Sequence, residues 1–232
     1  MIASLTIIRY RKRFIPFALL SMALFRIPLW LNNDIHFWKL VGTGKNGTFS
    51  KQPDWVQWGM FLVGSSELGV RSQRSMLGVF ISGWMRLFGC ETWTIWLEPL
   101  EGHGKWDGKE IFGFLPKQTD HEGKIAVLTR ATIRFSRMKN FWSHVEGVSA
   151  KMKTSAGFIS SLGIGEIPWK KQATFSIWEN KGSMKQFAYQ MKEHAEVIKK
   201  TRSEQWYSEE MFVRFRVIDT VGTINGKDIS KN

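Results

Sequence analysis

The sequence has very little cysteine and a shortage of acidic residues, and both shortages narrow what the protein can be. Its one cysteine, Cys90, excludes an intrachain disulfide, a zinc site built from thiolates and an iron–sulfur cluster held within one chain. This cysteine usage fits a reducing compartment, so we expect a cytoplasmic protein. Aspartate and glutamate number 20 against 33 lysine and arginine, which gives a formal net charge of +13. Such an excess favours an anionic partner: nucleic acid, a phospholipid surface, an acidic protein or an anionic cofactor.

Sequence motifs for bare metal ions and for nucleic acids are also missing. None of the five histidines forms a His-Glu-x-x-His motif or another dedicated zinc spacing, which argues against a hydrolytic or structural metal site. The basic residues are scattered and no zinc-finger or RNA-recognition signature is present, so we expect no nucleic-acid partner. Aromatic residues are by contrast abundant, with 12 Trp and 17 Phe, which suits a large core or a flat apolar ligand.

The amino-terminal region joins basic residues to an apolar run. Basic residues at positions 9 and 11–13 precede the run 14–25, an order that resembles a secretory signal. The run contains Pro16, ends at Arg26 and has no convincing cleavage site, and it is shorter than the roughly 20 residues that a membrane-spanning helix needs. We therefore predict a basic arm over residues 1–15 and a buried strand over 17–26. A peripheral membrane contact stays open.

An internal repeat organises the chain. Phe37, Gly42 and Gly44 recur at one constant offset as Phe158, Gly163 and Gly165. Each copy is followed by a proline, a strand-like run, an amphipathic helix and a further strand. A repeat of this length indicates a duplicated domain rather than a solenoid.

The second half of the sequence gives the clearer pattern of elements. Alternation predicts strands over 124–135, 156–165, 172–179 and 211–218, and helical spacing predicts helices over 138–152 and 184–201. The order β-α-β-β-α-β is that of a ferredoxin-like unit. The first half fits more loosely, with strands over 17–26, 36–44, 55–64 and 92–100 and helices over 29–35 and 73–88.

One ferredoxin-like unit leaves one face of its sheet open, and two units packed together cover it. We therefore predict an α+β protein in which two ferredoxin-like repeats, 16–118 and 119–232, form a pseudo-dimeric α/β barrel. The second repeat carries the candidate ligand residues. A cavity between sheet and helices, or between the two sheets, is the expected ligand site.

The glycine-rich segment 42–47 matches the dinucleotide-binding fingerprint as a string. That motif needs a helix to begin at the glycines, so that the helix amino terminus meets the pyrophosphate. The residues that follow, as far as Pro53, are poor helix formers, and the second copy of the repeat lacks the third glycine. We predict a hairpin here and no nucleotide.

His194 is the most informative of the histidines. It falls within the apolar stripe of the predicted helix 184–201. A histidine in that position is ordinarily a hydrogen-bonded core residue. The more specific hypothesis is that His194 is an axial ligand to haem, because haem needs one imidazole, an apolar slot and cations for its propionates. His144, at the margin of the apolar stripe of the other helix, is the second candidate.

Residues near His194 suit a haem pocket. Arg202 follows His194 by two helical turns, where its guanidinium would meet a propionate. Trp206 and Tyr207 would form a wall of the cavity. An exposed helix end with an anchoring tryptophan accounts for the same residues. Three strand arginines are further candidates for a cavity or an outer-face position: Arg130, Arg214 and Arg216.

Taken together, these motifs resemble the spheroidene monooxygenase family. In the second half they are Leu128-Thr129-Arg130-Ala131, Gly163-Ile164-Gly165-Glu166-x-Pro168, Gln172-Ala173-Thr174-Phe175-Ser176-x-Trp178, Phe187-Ala188-Tyr189 with His194, and Thr201-Arg202 with Trp206-Tyr207 and Glu210. In the first half they are Phe37-Trp38-Lys39-Leu40 and Pro53-Asp54-Trp55. The resemblance spans most of the chain, is densest over 125–216 and leaves residues 1–15 outside.

The resemblance implies an oxygenase that holds haem b and adds a keto group to an acyclic carotenoid, using O₂ and external electrons, on a dimeric α/β-barrel fold. It implies His194 as the iron ligand, with His144 as the fallback, and haem contacts from Arg202, Arg130, Trp206 and Tyr207. The implied partners are an apolar substrate, O₂ and an acidic electron donor such as a ferredoxin.

The implied location is cytoplasmic or membrane-peripheral. The chain is either a monomer or a homo-oligomer, and the sequence does not decide between the two. Two alternatives remain for the function. One is a haem-dependent dehydratase or peroxide-type enzyme on the same barrel, and the other is a non-catalytic haem-binding module.

Overall fold

The computed structural model describes residues 1–65, 76–190, 201 and 203–231 of the chain. Its strands are β1 (Ile2–Arg9), β2 (Ile35–Gly44), β3 (Pro53–Gly64), β4 (Glu91–Gly104), β5 (Ile125–Ile133), β6 (Phe158–Ile167), β7 (Lys171–Trp178) and β8 (Tyr207–Gly222). The helices are α1 (Ile15–Leu24), α2 (Arg26–Trp30), α3 (Met76–Leu87), α4 (Met138–Lys153) and α5 (Lys181–Lys185), the last followed by a π-helical turn at Gln186–Gln190.

The eight strands form one closed antiparallel barrel in the order β1-β3-β2-β6-β7-β5-β8-β4, and β4 pairs back onto β1. Read by halves, the order is β4-β1-β3-β2 and then β8-β5-β7-β6, which is the same ferredoxin-like sheet twice. The two sheets join at two seams, where β2 pairs with β6 and β4 pairs with β8. The predicted α+β class and duplicated barrel are confirmed. The boundary between the repeats at 118/119 stays a prediction.

The amino-terminal elements differ from the prediction. Residues 2–9 are not part of a basic arm but form β1, with Ala3, Leu5 and Ile7 fully buried on the barrel interior. The run predicted as a strand over 17–26 is instead helical, as α1. Pro16 lies in the first turn of α1, where its missing N–H would have no helical partner in any case. A short apolar run cannot be assigned to strand or helix by periodicity alone, which explains the error.

The repeated Gly-x-Gly elements meet each other at one seam of the barrel. Gly42 pairs with Gly165, and Thr43 with Ile164, so the two copies run antiparallel across the pseudo-twofold axis. The hairpin prediction is confirmed, since β2 leads through residues 45–52 into β3. A Cβ atom at Gly163 would lie 2.5 Å from the Cα atom of Phe49, so the glycine permits this loop to approach the strand closely.

The inside of the barrel is a packed core. Side chains that alternate inward from all eight strands form one apolar cluster. Its largest members are fully buried aromatic residues: Phe61, Trp93, Trp106, Phe175 and Phe215. The interior is therefore filled by side chains in the manner of a small barrel.

A charged network lies on the interior face of β5 and includes Arg130. This arginine is only 1% exposed, and its guanidinium donates to Glu209, to Asp107 at 3.1 Å and to Glu166 at 3.3 Å. Its neighbours on β7 and β8 belong to the barrel core, so it points away from the outer face and the helices. Three carboxylates surround Arg130 on this interior face, and a haem contact of this arginine stays a prediction from the sequence.

Asp107 also accepts from two lysines of this network, Lys39 and Lys171, the latter at 2.6 Å. Burial opposes ionisation of the Asp107 carboxyl, but the hydrogen bonds from Lys171 and Lys39 outweigh it and lower its pKa to about 2. The carboxylate form of Asp107 is therefore part of the folded state over the whole neutral range.

We expect Gly163→Ala to destabilise the fold by about 1–3 kcal/mol, because the added methyl group would overlap the backbone of the 45–52 loop. Gly83→Ala is the matched control: no atom lies within 4 Å of a Cβ at this helical position, so we expect a gain of about 0.5–1 kcal/mol. Urea denaturation of both variants measures the difference. Equal effects of the two substitutions would contradict the close approach at the seam.

The low pKa of Asp107 predicts an acid-dependent loss of stability. The carboxyl pKa is lower in the folded chain than the ordinary value of 3.8, so its stabilising contribution is present above about pH 4 and is lost as the pH falls toward 2. Asp107→Asn should remove this part of the pH dependence between pH 4 and 2, whereas Asp120→Asn, at an exposed loop position, should leave it unchanged. Urea titrations across this pH range test it, and identical pH profiles for Asp107→Asn and wild type would contradict the prediction.

Candidate functional site

On the outer face of the second half of the barrel, one residue in the middle of the sheet is exposed. The register places Val127 and Thr129 of β5 on one face with Thr174 and Ser176 of β7 and Phe212 of β8. We call the surface formed by these five residues the outer-face recess. Thr129 is exposed although it lies in the middle of β5 and all other residues of that strand are buried. Among the described residues, α4 packs on β6 and α5 packs on β7, the two strands on one side of β5 in the barrel.

The same face of the first half is closed. There Ile8, Met60 and Leu62 pack with residues of α1, α2 and α3 in one apolar cluster. Thr6, an outward-facing residue in the middle of β1, is buried under these helices. The duplication therefore produced two different outer faces, and the open one is the natural place for a ligand.

Apolar groups of α4, α5 and the π-helical turn border the outer-face recess. Met152 of α4, Met184 of α5 and Phe187 of the π-helical turn pack with Ile125, Val127 and Trp178 in one cluster. A π-helical turn is uncommon and is often found at functional sites. The turn at 186–190 leads directly into the segment 191–200, which contains His194.

A buried ion pair stands at the edge of the outer-face recess. Arg214 of β8 is the cross-strand neighbour of Val127 and pairs with Glu101 of β4. Its guanidinium carbon lies 4.8 Å from the centre of the Phe212 ring. Arg214 is 8% exposed, and within the described part of the chain its Nε atom has no hydrogen-bond partner. A buried guanidinium with an unused donor is suited to an anionic or oxygen-bearing ligand.

Glu101 holds this arginine in place. It also accepts from Lys181 Nζ at 2.8 Å and from the Thr119 backbone N–H at 2.7 Å. Burial opposes ionisation of Glu101, but hydrogen bonds from Lys181 and Arg214 outweigh it and hold the pKa of the carboxyl below its usual value. The carboxylate is thus satisfied by two cations and fixes the orientation of Arg214.

His194 and Arg202 lie outside the described residues. His144 is half-buried on α4, and its Nδ1 atom lies 2.8 Å from the Asn140 carbonyl oxygen. With Nδ1–H donating to that carbonyl, the lone pair of Nε2 is left available, the arrangement usual for metal-binding histidines. The imidazole lies 5.4 Å from the Trp206 ring, measured between ring centres.

Trp206 and Tyr207 lie where the chain enters β8. Trp206 is fully buried and its indole N–H donates to Glu204 at 2.8 Å. Tyr207 is half-buried, with its ring centre 6.0 Å from that of Phe141 on α4. Burial, together with the charge of Glu210, raises the pKa of the Tyr207 hydroxyl well above its ordinary value, so the hydroxyl stays protonated. Trp206 and Tyr207 therefore both lie against α4, where Trp206 is close to His144 and Tyr207 is close to Phe141.

Sequence reasoning identified Arg214 as a candidate but did not identify its partner, Glu101. Arg214 and Arg216 were both outer-face candidates, and both lie on that face. Of the two, only Arg214 is buried, where it pairs with Glu101 of β4, and no local sequence pattern predicts this pairing. Arg216 is half-exposed and pairs with Glu98 at 2.6 Å.

The sequence is similar to proteins of one curated family, although no family model matches it. It is 35% identical to spheroidene monooxygenase of Cereibacter sphaeroides over 193 residues, 83% of this chain and 59% of that protein, so the match spans about three-fifths of that relative. It is 33% identical to spheroidene monooxygenase of Rhodobacter capsulatus over 231 residues, 98% of this chain and 94% of that protein. For spheroidene monooxygenase of Rubrivivax gelatinosus the identity is 31% over 194 residues, 82% and 72% of the two chains.

Solved structures of aldoxime dehydratase share the fold. One has a TM-score of 0.65 at 11% identity and covers 99% of this chain and 87% of that chain. Another, in complex with butyraldoxime, has a TM-score of 0.64 at 10% identity, with 99% and 84% covered. At this identity the likeness concerns the fold alone. The identity to the Rhodobacter capsulatus protein, which extends over nearly the whole of both chains, shows that this chain belongs to the spheroidene monooxygenase family.

Proposed function

We propose that this chain is a haem-dependent monooxygenase that inserts oxygen into a carotenoid-like substrate at the outer-face recess, with O₂ and electrons from an external donor. Family membership makes the chain an oxidoreductase of the monooxygenase type that acts on an apolar carotenoid and O₂. The structural observation that carries the location is the exposed Thr129 in an otherwise buried strand. We further propose that the chain binds haem through a histidine ligand and receives electrons from an external donor.

The residues of the outer-face recess fit a haem. The three neighbouring strands β7, β5 and β8, about 4.8 Å apart, give a face about 10 Å wide, against which a flat macrocycle would pack. The side chains at its centre are small, Thr129, Thr174 and Ser176, and large apolar groups border it. The unused donor of Arg214 would serve an anionic edge or a bound oxygen atom. A slot of this kind, with apolar walls and a cation at its margin, is what haem requires of a protein.

In this proposal His194 supplies the axial ligand from the segment that follows the π-helical turn. His144 is the fallback, since its Nδ1–H bond to Asn140 leaves Nε2 available. Arg202 would meet a propionate, and Trp206 and Tyr207 would wall the site beside α4. Arg130 is left out, because its guanidinium is neutralised on the opposite face of β5.

Bound haem would supply O₂ activation, and the chain would supply position, polarity and exclusion of water. The apolar cluster that contains Val127 and Phe187, with Phe212 packed against it, would border a long apolar substrate. The ion pair with Glu101 fixes the position of the Arg214 guanidinium, so it would offer a donor that need not reorganise during the reaction. The protonated Tyr207 hydroxyl is a second donor near α4.

Two alternatives use the same site. A haem-dependent dehydratase or peroxide-type enzyme would share the barrel and the ligand, and a non-catalytic haem-binding module would lack turnover. The family relationship favours the monooxygenase, because the likeness to aldoxime dehydratase concerns the fold alone. The excess of basic residues supports an acidic donor such as a ferredoxin and a cytoplasmic, membrane-peripheral location.

His194→Ala should abolish or sharply change the haem absorption spectrum while the fold persists, because the substitution removes the ligand and little core volume. Added imidazole should restore part of the spectrum. The first-half His36→Ala, at an exposed position, is the matched control and should keep the wild-type spectrum. If His194 is a core histidine instead, His194→Ala will cost roughly 1–3 kcal/mol and leave the haem spectrum unaltered. In that case His144→Ala is the next variant to measure.

Thr129→Trp should block haem binding, because the indole would fill the centre of the outer-face recess. Thr129→Val, which has nearly the same size, should bind haem like wild type. Haem titration of the apoprotein followed by absorbance measures both, and circular dichroism confirms the fold. Undiminished haem binding by Thr129→Trp would place the cofactor elsewhere and overturn the proposed location.

A further inference from the structure

Helix α1 has an inverted polarity for a helix on the surface of a protein. Ser21, the only polar side chain among its ten residues, is buried, where it accepts from Tyr10 Oη at 3.0 Å and donates to the Ala18 carbonyl at 2.7 Å. Phe17, Leu19 and Leu20 of the same helix are exposed. A helix that is apolar on all sides is normally buried in a core or in lipid. Within residues 12–30, only 28% of the most apolar 18-residue stretch is buried.

The two neighbouring helices extend this apolar surface. α2 contacts α1 and α3, and the ring of Phe17 stacks on that of Phe88, just beyond α3, with centres 4.6 Å apart. Trp30 at the end of α2 is 77% exposed, and Ile27 is 60% exposed. We define the helical apolar surface as the exposed large apolar residues of these three helices and the residue that follows α2: Phe17, Leu19, Leu20, Ile27, Trp30, Leu31, Val79, Phe80 and Leu87.

Basic residues accompany the helical apolar surface, and acidic residues are absent from its segments. Residues 10–33 and 76–90 contain no aspartate or glutamate. The cations of these segments are all exposed: Arg11, Lys12, Arg13, Arg26 and Arg86. This combination of large apolar groups and unmixed positive charge complements an anionic lipid surface.

The lengths of the helices determine how such a surface would meet a bilayer. By length and composition alone, residues 12–30 could cross a membrane, but α1 itself has ten residues, about 15 Å, and α2 has five. The hydrocarbon core of a bilayer is about 30 Å thick, so neither helix spans it. Both helices are also fixed to the barrel by Ala18, Phe25 and Leu29, which are buried in the first-half cluster. The geometry suits helices that lie in the plane of the interface.

We propose that α1, α2 and α3 dock the protein onto the surface of an anionic phospholipid bilayer, with the helical apolar surface inserted among the lipid chains and the arginines at the headgroups. A bilayer offers both required features at once, negative charge and an extended apolar layer. The proposal rests on the polarity and charge of these helices and is independent of the haem and of the reaction.

Vesicle flotation of the full chain tests the docking surface. Wild type should bind vesicles of phosphatidylcholine mixed with phosphatidylglycerol, bind much less to phosphatidylcholine alone, and lose affinity at high salt. The triple variant Leu20→Gln, Ile27→Gln, Trp30→Gln should bind at least about tenfold more weakly. The triple variant Arg11→Glu, Lys12→Glu, Arg13→Glu should bind about a hundredfold more weakly.

The matched control replaces exposed apolar residues elsewhere: Phe114→Gln, Phe135→Gln, Val221→Gln. It should bind vesicles like wild type. Circular dichroism checks the fold of each variant, and light scattering without vesicles checks the oligomeric state.

Equal binding by the apolar variant and by the control would overturn the proposal. So would failure of wild type to bind anionic vesicles. A wild-type oligomer that dissociates in the apolar variant, without vesicle binding by either, would show that a second copy of the chain covers the surface, and this would also overturn it.

Discussion

Closure of the sheet is the constraint on which the other features of the molecule depend. Antiparallel pairing of β2 with β6 and of β4 with β8 joins two ferredoxin-like sheets into one barrel, and the inward side chains fill it. The ligand site that we propose therefore lies on an outer face, between strands and helices. The two outer faces have diverged: the first is closed by α1, α2 and α3, while the second is left open at Thr129. The closed face carries the proposed membrane surface and the open face the proposed haem site, so one duplication would provide both functions.

Most of the fold could be predicted from the sequence, since the second half shows clear alternation and helical spacing and the Phe-x₄-Gly-x-Gly repeat reveals the duplication. The error at the amino terminus has a physical reason. Residues 2–9 form a strand that is buried on both faces, but the basic residues that follow it suggest an arm. The apolar run of α1 has no helical periodicity because its outward face is also apolar. The feature that obscured α1 as a helix is the same one that indicates a membrane contact.

The site was predictable only in part. Trp206 and Tyr207 lie together because they are adjacent in sequence, and His144 joins them because α4 covers the start of β8. Arg130 faces the core because its parity on β5 is that of Ala126 and Leu128, and its carboxylate partners come from three distant segments. The buried pair of Arg214 and Glu101 likewise depends on a register between strands more than one hundred residues apart. Long-range pairings of this kind are not encoded in any local pattern.

A crystal structure of the haem-loaded protein tests the central claim most directly. The account predicts electron density for haem over Thr129, outside the barrel, between the outer face of β5 and the helical layer of the second half. It predicts that Arg130 keeps its three carboxylate partners and does not touch the cofactor. Haem inside the barrel, on the outer face of the first half or at a contact between two molecules would contradict the account.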